Sequence, residues 1–148
     1  MSSRSIYKLL SLAGTTPFYL LVIMGAYLLL HKTAIDLAIS FVLLMGVCYS
    51  IKLVYRKPRP DANERPAGKS WFGWLDAASF PSVHSARAAA LAICVLALMT
   101  SAFVATAAVI FTICVGFSRI KLRRHFLTDV IGGVIIGGTL AFLVTRFH

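Results

Sequence analysis

The sequence predicts an all-α fold, a polytopic transmembrane helical bundle of about five helices with one polar, partly interfacial loop. Three observations predict it. The 148 residues are 59% hydrophobic, against roughly 45–50% in a soluble domain, and mean hydropathy is +0.84. The apolar residues gather in five runs that approach or reach the roughly 20 residues a membrane span needs. The charged residues lie mostly between those runs, as fifteen Lys and Arg against five Asp and Glu. The length suits one domain covering residues 1–148.

The first predicted span covers residues 9–30, with Pro17 near its start. Arg4 and Lys8 precede it, as in a secretory signal. The stretch is long for a signal core, however, and no small-x-small cleavage site follows, so a retained helix is expected. The second span covers 35–54 and is interrupted only by Lys52. The third (85–99) and fourth (102–117) are short and meet at "MTSA", a tight hairpin turn. The fifth covers 126–144 and contains "GGVIIGG". Gly133 and Gly137 form a small-xxx-small pattern, which lets helices approach closely.

Residues 55–79 form the longest polar segment, with three of the five prolines and both tryptophans. "SWFGWL" places Trp71, Phe72 and Trp74 in one stretch, which predicts a piece lying on the membrane surface. Cys48, Cys94 and Cys114 sit inside apolar runs without CxxC spacing and are expected to be packing residues. The net charge of +10 suits nucleic acid, an anionic membrane surface or an anionic substrate. The apolar runs set nucleic acid aside.

Following the spans in order brings three polar islands to one membrane face. The second span ends at "KLVYRKPRP", the third begins at "PSVHSAR", and the fourth delivers "SRIKLRRHFLTD" to the same side. In the first island Lys52 and Arg59 lie seven positions apart, about two helical turns. Alone they read rather as cations anchoring a helix end in the headgroups. In the second, Ser82 is a natural N-cap, and the N–H groups of Val83 and His84 make an anion site at a helix start. His84 stands at its rim, able to give or take a proton near neutral pH. In the third, His125 and Asp129 share a helical face at i, i+4. Asp129 falls inside an apolar run, where an acid is costly unless paired, and His125 is the expected partner. Arg119 adds a planar, phosphate-matching cation. Together these groups suit phosphoryl transfer. Lys52, Arg59 and Arg119 neutralise the phosphate, Ser82, Val83 and His84 cradle it, and a histidine attacks phosphorus. No acidic cluster for Mg²⁺ is apparent, so metal-independent chemistry without a cofactor is expected.

These residues resemble the type 2 phosphatidic acid phosphatase family of membrane lipid phosphatases, whose pattern is KxxxxxxRP, PSGH and SRxxxxxHxxxD. Here the first runs from Lys52 to Arg59-Pro60. The third is Ser118-Arg119, His125 and Asp129. The second reads Pro81-Ser82-Val83-His84, so Val83 stands where the family has glycine. The resemblance spans residues 52–129. It implies that His125 is the nucleophile that becomes a phosphohistidine, that Asp129 orients it, and that His84 protonates the leaving group. Lys52, Arg59, Ser82 and Arg119 would hold phosphate. The family commonly has six membrane helices, one more than the runs here. Arg87, one turn into the third span, is expected either to reach the headgroup region or to pair with Asp61, Glu64 or Asp76.

A site at headgroup level between helices suits a phosphorylated lipid as substrate, among surrounding membrane lipids. Polyprenyl (pyro)phosphate, polyprenyl-phosphate sugar phosphate, phosphatidylglycerol phosphate, phosphatidic acid and lipid A all fit. Arg4, Lys8, Arg56, Lys57, Arg65, Lys69, Lys121, Arg123 and Arg124 fall on the site's side, against Lys32 and Arg146 opposite. The positive-inside rule then places the site on the cytoplasmic face of the plasma membrane. That orientation favours a lipid intermediate made in the cytosol over a recycled carrier. Two rival functions share these features: non-catalytic binding of anionic lipid, and a lipid transporter subunit.

Overall fold

The computed structural model describes residues 3–61, 77–99 and 101–148. Six helices account for most of them: α1 (Ser3–Leu12), α2 (Thr16–Leu29), α3 (His31–Val54), α4 (Val83–Leu98), α5 (Ala102–Lys121) and α6 (Leu127–Phe147). Three of these, α3, α5 and α6, are each long and apolar enough to cross a membrane. At about 1.5 Å per residue the 24 residues of α3 reach roughly 36 Å, more than the ~30 Å hydrocarbon core. Leu28, Leu29, Phe103, Ile113, Phe142 and Phe147 are exposed around the bundle, as lipid-facing side chains must be. The chain is an integral membrane protein.

The first predicted span is broken. α1 and α2 meet at a 44° bend, and together they form a fourth candidate span. Two local causes are visible. Pro17 has no N–H to give and its ring crowds the carbonyl four residues back, so it belongs in the first turn of a helix rather than inside one. The turn closes on itself, with the Thr15 backbone N–H and Oγ1 both donating to the Leu12 carbonyl. The break also fits a close approach: a Cβ on Gly14 would come 2.8 Å from Cβ of His84.

α4 has only 16 residues, about 24 Å, short of a full crossing. It is the central helix, packed against α3, α5 and α6, and Ala86, Ala88, Ala89, Ala90, Ala92 and Cys94 are all buried. Alanine suits this place because α6 comes so near. A Cβ on Gly133 would lie 2.3 Å from the Ser82 carbonyl oxygen, and one on Gly137 would lie 2.0 Å from that of Ala86. The expected small-xxx-small contact is therefore backbone against backbone, between α4 and α6. The N–H of Ser82 also donates to the Asp129 carbonyl at 2.9 Å, tying the start of α4 to the start of α6.

Local signals set the remaining ends. The Ser82 Oγ accepts from the Ser85 N–H and caps α4. Ser101 caps α5 in the same way, accepting from Val104, where the sequence placed the hairpin turn. α5 runs on to Lys121 and stops at Arg123, which takes the left-handed conformation (φ 56°). The Arg124 N–H then reaches back to the Arg119 carbonyl, a helix-ending motif that turns the chain toward α6. Cys48 and Cys94 are buried and Cys114 is half-buried, all as free thiols. The expectation for Trp71, Phe72 and Trp74 lies outside the described residues.

Gly137→Ala is expected to lower the thermal midpoint in detergent steeply, because a methyl 2.0 Å from a carbonyl forces the two helices apart. Gly138→Ala meets nothing within 4 Å and should be neutral, or stabilising by about 0.5–1 kcal/mol. Equal midpoints for the two variants would contradict the close α4–α6 contact.

Candidate active site

Lys52 stands in the last turn of α3, 3% exposed. Its ammonium donates to the Ala78 carbonyl, which fixes it beside the chain leading into α4. Arg59 follows in the extended segment after α3, where Pro58 and Pro60 prevent further helix. Val83 and His84 open α4. Arg119 lies in the last turn of α5, 8% exposed, and donates to the Ser11 hydroxyl of α1. His125 sits in the turn between α5 and α6, 3% exposed. Lys52, Arg59, Val83, His84, Arg119 and His125 all line one cavity of about 180 Å³, with Thr15, Thr16, Tyr49 and Arg87 completing the wall. That is several times the roughly 30 Å³ share of a water molecule, so a tetrahedral anion fits.

Three structural details differ from the sequence expectations. The His125 Nδ1 lies 2.7 Å from the Ser79 carbonyl oxygen. A carbonyl can only accept, so Nδ1 carries the proton and Nε2 keeps its lone pair. Asp129 Oδ2 is 3.9 Å from the same nitrogen, beyond hydrogen-bonding distance. The Asp129 carboxylate instead accepts from Lys57 Nζ at 2.6 Å and from the Phe126 N–H at 2.8 Å. Asp129 is fully buried, and Lys57 is the cation that makes this tolerable. The Ser82 side chain, also fully buried, is occupied in the α4 cap and with the Ser85 hydroxyl at 2.9 Å. It shapes the cradle without lining the cavity. Arg87 is paired with none of the described acids. Asp61 meets Arg124 at 3.5 Å, and Glu64 and Asp76 lie outside the described residues.

Val83 is accommodated without strain. Arg123 is the one non-glycine at positive φ among the described residues, so the position held by glycine elsewhere in this motif needs no left-handed backbone here.

Residues 33–148 match the PAP2 superfamily, covering α3 to α6 almost entirely. The chain belongs to the PAP2 superfamily. Among relatives, undecaprenyl-diphosphatase BcrC of Bacillus subtilis (strain 168) is 35% identical over 99 residues, 67% of this chain and 49% of that protein. The chain therefore spans about half the length of this curated relative. LpxE of Aquifex aeolicus has the same fold, with a TM-score of 0.84 at 17% identity over 97% of this chain and 86% of that one. The transmembrane PAP2 type phosphatidylglycerolphosphate phosphatase from Bacillus subtilis gives a TM-score of 0.79 at 25% identity over 97% and 75%.

Several cavity residues go beyond the three PAP2 motifs. Tyr49 is one turn before Lys52 and shares its face of α3, a signal present in the spacing. Lys57, the closest partner of Asp129, stands outside the cavity wall, and the sequence offered His125 for that acid. Thr15 and Thr16 reach the site only because the first span bends.

Burial, and then the positive charges of Arg119, Arg59 and Lys52, press the His125 imidazole far below its usual value, to about 2. The native state then binds no proton at His125 while the unfolded chain takes one below about pH 6.5. Stability must therefore fall as pH drops through that value. In thermal unfolding without substrate, His125→Asn, whose amide can still donate to Ser79, should flatten this pH slope by up to one proton between about pH 6.5 and 4. The same slope in variant and wild type would show that His125 is not held neutral.

Proposed function

We propose that the protein is a membrane lipid phosphatase working through a phosphohistidine. One observation carries the proposal: two histidines from different elements face one cavity together with Lys52, Arg59 and Arg119. His125 Nε2 attacks phosphorus, and the bond from phosphorus to the lipid oxygen breaks. His84 gives its proton to the departing oxygen. Water then cleaves the phosphorus–nitrogen bond with His84 taking its proton, and inorganic phosphate leaves. Lys52, Arg59 and Arg119 stabilise the equatorial oxygens, helped by the N–H groups that open α4. Asp129, charge-paired with Lys57, holds the first turn of α6 and with it the loop bearing His125.

The relatives support a phosphorylated lipid as substrate. By name they act on undecaprenyl diphosphate and phosphatidylglycerolphosphate. Purified protein in detergent should release inorganic phosphate from such lipids with EDTA present. His125→Ala and His84→Ala should each slow release by at least about 10²-fold, and vanadate should inhibit by mimicking five-coordinate phosphorus. Lipid binding with no release would favour the non-catalytic alternative, and lipid movement across vesicles without release would favour a transporter.

The site is further proposed to face the cytoplasm. Arg56, Lys121, Arg123 and Arg124 lie at its end of the bundle, against Lys32 and Arg146 at the other. In intact cells a membrane-impermeant thiol reagent should label Lys32→Cys, and label Arg56→Cys only after permeabilisation. The reverse pattern would place the site outside.

A further inference from the structure

We infer that Arg87 forms a second phosphoryl subsite, which makes a lipid diphosphate the preferred substrate class of this cavity. The inference rests on the phosphatase reading above and goes further, to which phosphoryl group is cut and what leaves.

Arg87 is 4% exposed, yet lines the same cavity as His84 and His125. Its known partners are poor for a buried cation. Nη1 donates to the Gly14 carbonyl at 3.1 Å, and Nη2 lies 3.1 Å from the Met45 sulfur. A thioether is a weak acceptor. The group also stands 5.5 Å from the Phe41 ring centre, and its Nε has no hydrogen-bond partner. The described acids are engaged elsewhere: Asp36 with His148, Asp61 with Arg124, and Asp129 with Lys57. A buried guanidinium without a carboxylate is a costly arrangement, and an anionic ligand would relieve it.

The position of Arg87 says which anion. α4 starts beside the three motifs and runs into the bilayer, so Arg87 lies three residues deeper than His84, about 4.5 Å along the axis. His84 is the group that meets the leaving oxygen. The cation one turn below it therefore meets whatever that oxygen is attached to, on the way to the lipid tail. In a lipid diphosphate this is the inner phosphoryl group. His125 attacks the outer phosphorus, and its bond to the bridging oxygen breaks. That oxygen leaves with the lipid monophosphate, taking the proton from His84, and Arg87 holds the inner phosphoryl throughout. Charge agrees with this division. A phosphomonoester brings about −1.5 to −2, and a diphosphate brings more, to a wall that carries Lys52, Arg59, Arg87 and Arg119. Thr16 and Tyr49, also in the wall, carry hydroxyl groups that can serve the added oxygens.

The test uses one prenyl chain carried as its monophosphate and as its diphosphate, with phosphate release followed for wild type, Arg87→Lys and Arg87→Gln. Wild type should favour the diphosphate. Each variant should lose kcat/KM on the diphosphate about 10- to 100-fold more than on the monophosphate, the span expected for one charge-assisted hydrogen-bonded contact. Equal losses on both lipids would overturn the subsite and leave Arg87 as a tie between α4 and the α1–α2 break. For variants that do not fold, competition on wild type decides. Methylenediphosphonate should inhibit more tightly than inorganic phosphate, and equal inhibition would overturn the inference. Wild type that releases phosphate from neither lipid would instead refute the phosphatase reading itself.

Discussion

The contact between α4 and α6 is the constraint on which the site depends. At Gly133 and Gly137 there is no room for even a methyl group, because α4 carbonyl oxygens occupy that space. The same contact fixes the backbone bond from Ser82 to Asp129. The start of α4 at Ser82 and the loop bearing His125, which ends just before Asp129, are the proposed anion cradle and nucleophile loop, so one interface sets the spacing of both. A bilayer gives helices little hydrophobic reason to associate, and close packing has to supply it. Here the packing that holds the bundle also brings His84 and His125 to the same cavity.

Within the cavity the dominant feature is the gathering of Lys52, Arg59, Arg87 and Arg119 around His84 and His125. Unit charges 4 Å apart interact by about 4 kcal/mol at an effective dielectric near 20, so cations gathered around one cavity repel appreciably. Burial first, and then their field, keep His125 uncharged, as the proposed nucleophile must be. Under the proposed function, a phosphate ester entering this field supplies negative charge. It offsets the repulsion among the cations and provides the anion beside which an imidazolium is stable. In the proposed mechanism, substrate binding and preparation of the proton donor are thus one electrostatic event.

The sequence revealed the parts whose signal is local. The motif residues Lys52, Arg59, Val83, His84, Arg119 and His125 are found around one cavity, because each motif sits at the end of a helix whose direction follows from counting spans. The span positions were legible from apolar runs. The break at residues 13–15 was harder to read, since Pro17 alone does not say whether a helix kinks or begins. The break is what brings Gly14 to His84 and Arg87. The closest partner of Asp129 was not legible for a related reason. The i, i+4 spacing pointed to His125, which stands 3.9 Å away, but the loop before α6 is not helical, and the extended chain after α3 delivers Lys57 closer, at 2.6 Å. Backbone acceptors such as the Ser79 carbonyl leave no mark in side-chain spacing at all.

That backbone acceptor has a chemical consequence. A carboxylate bonded directly to the nucleophilic imidazole would raise its affinity for a proton and work against the surrounding cations. A neutral carbonyl fixes the same tautomer with less pull toward the charged form, leaving Nε2 bare. The carboxylate of Asp129, 3.9 Å away, can still favour the positive charge that would develop on His125 in the proposed phosphohistidine. Its own charge is balanced by Lys57 before the reaction starts. Tautomer control and charge stabilisation are therefore divided between two groups. The division lets a histidine remain neutral among cations and still serve as the proposed acceptor of a phosphoryl group.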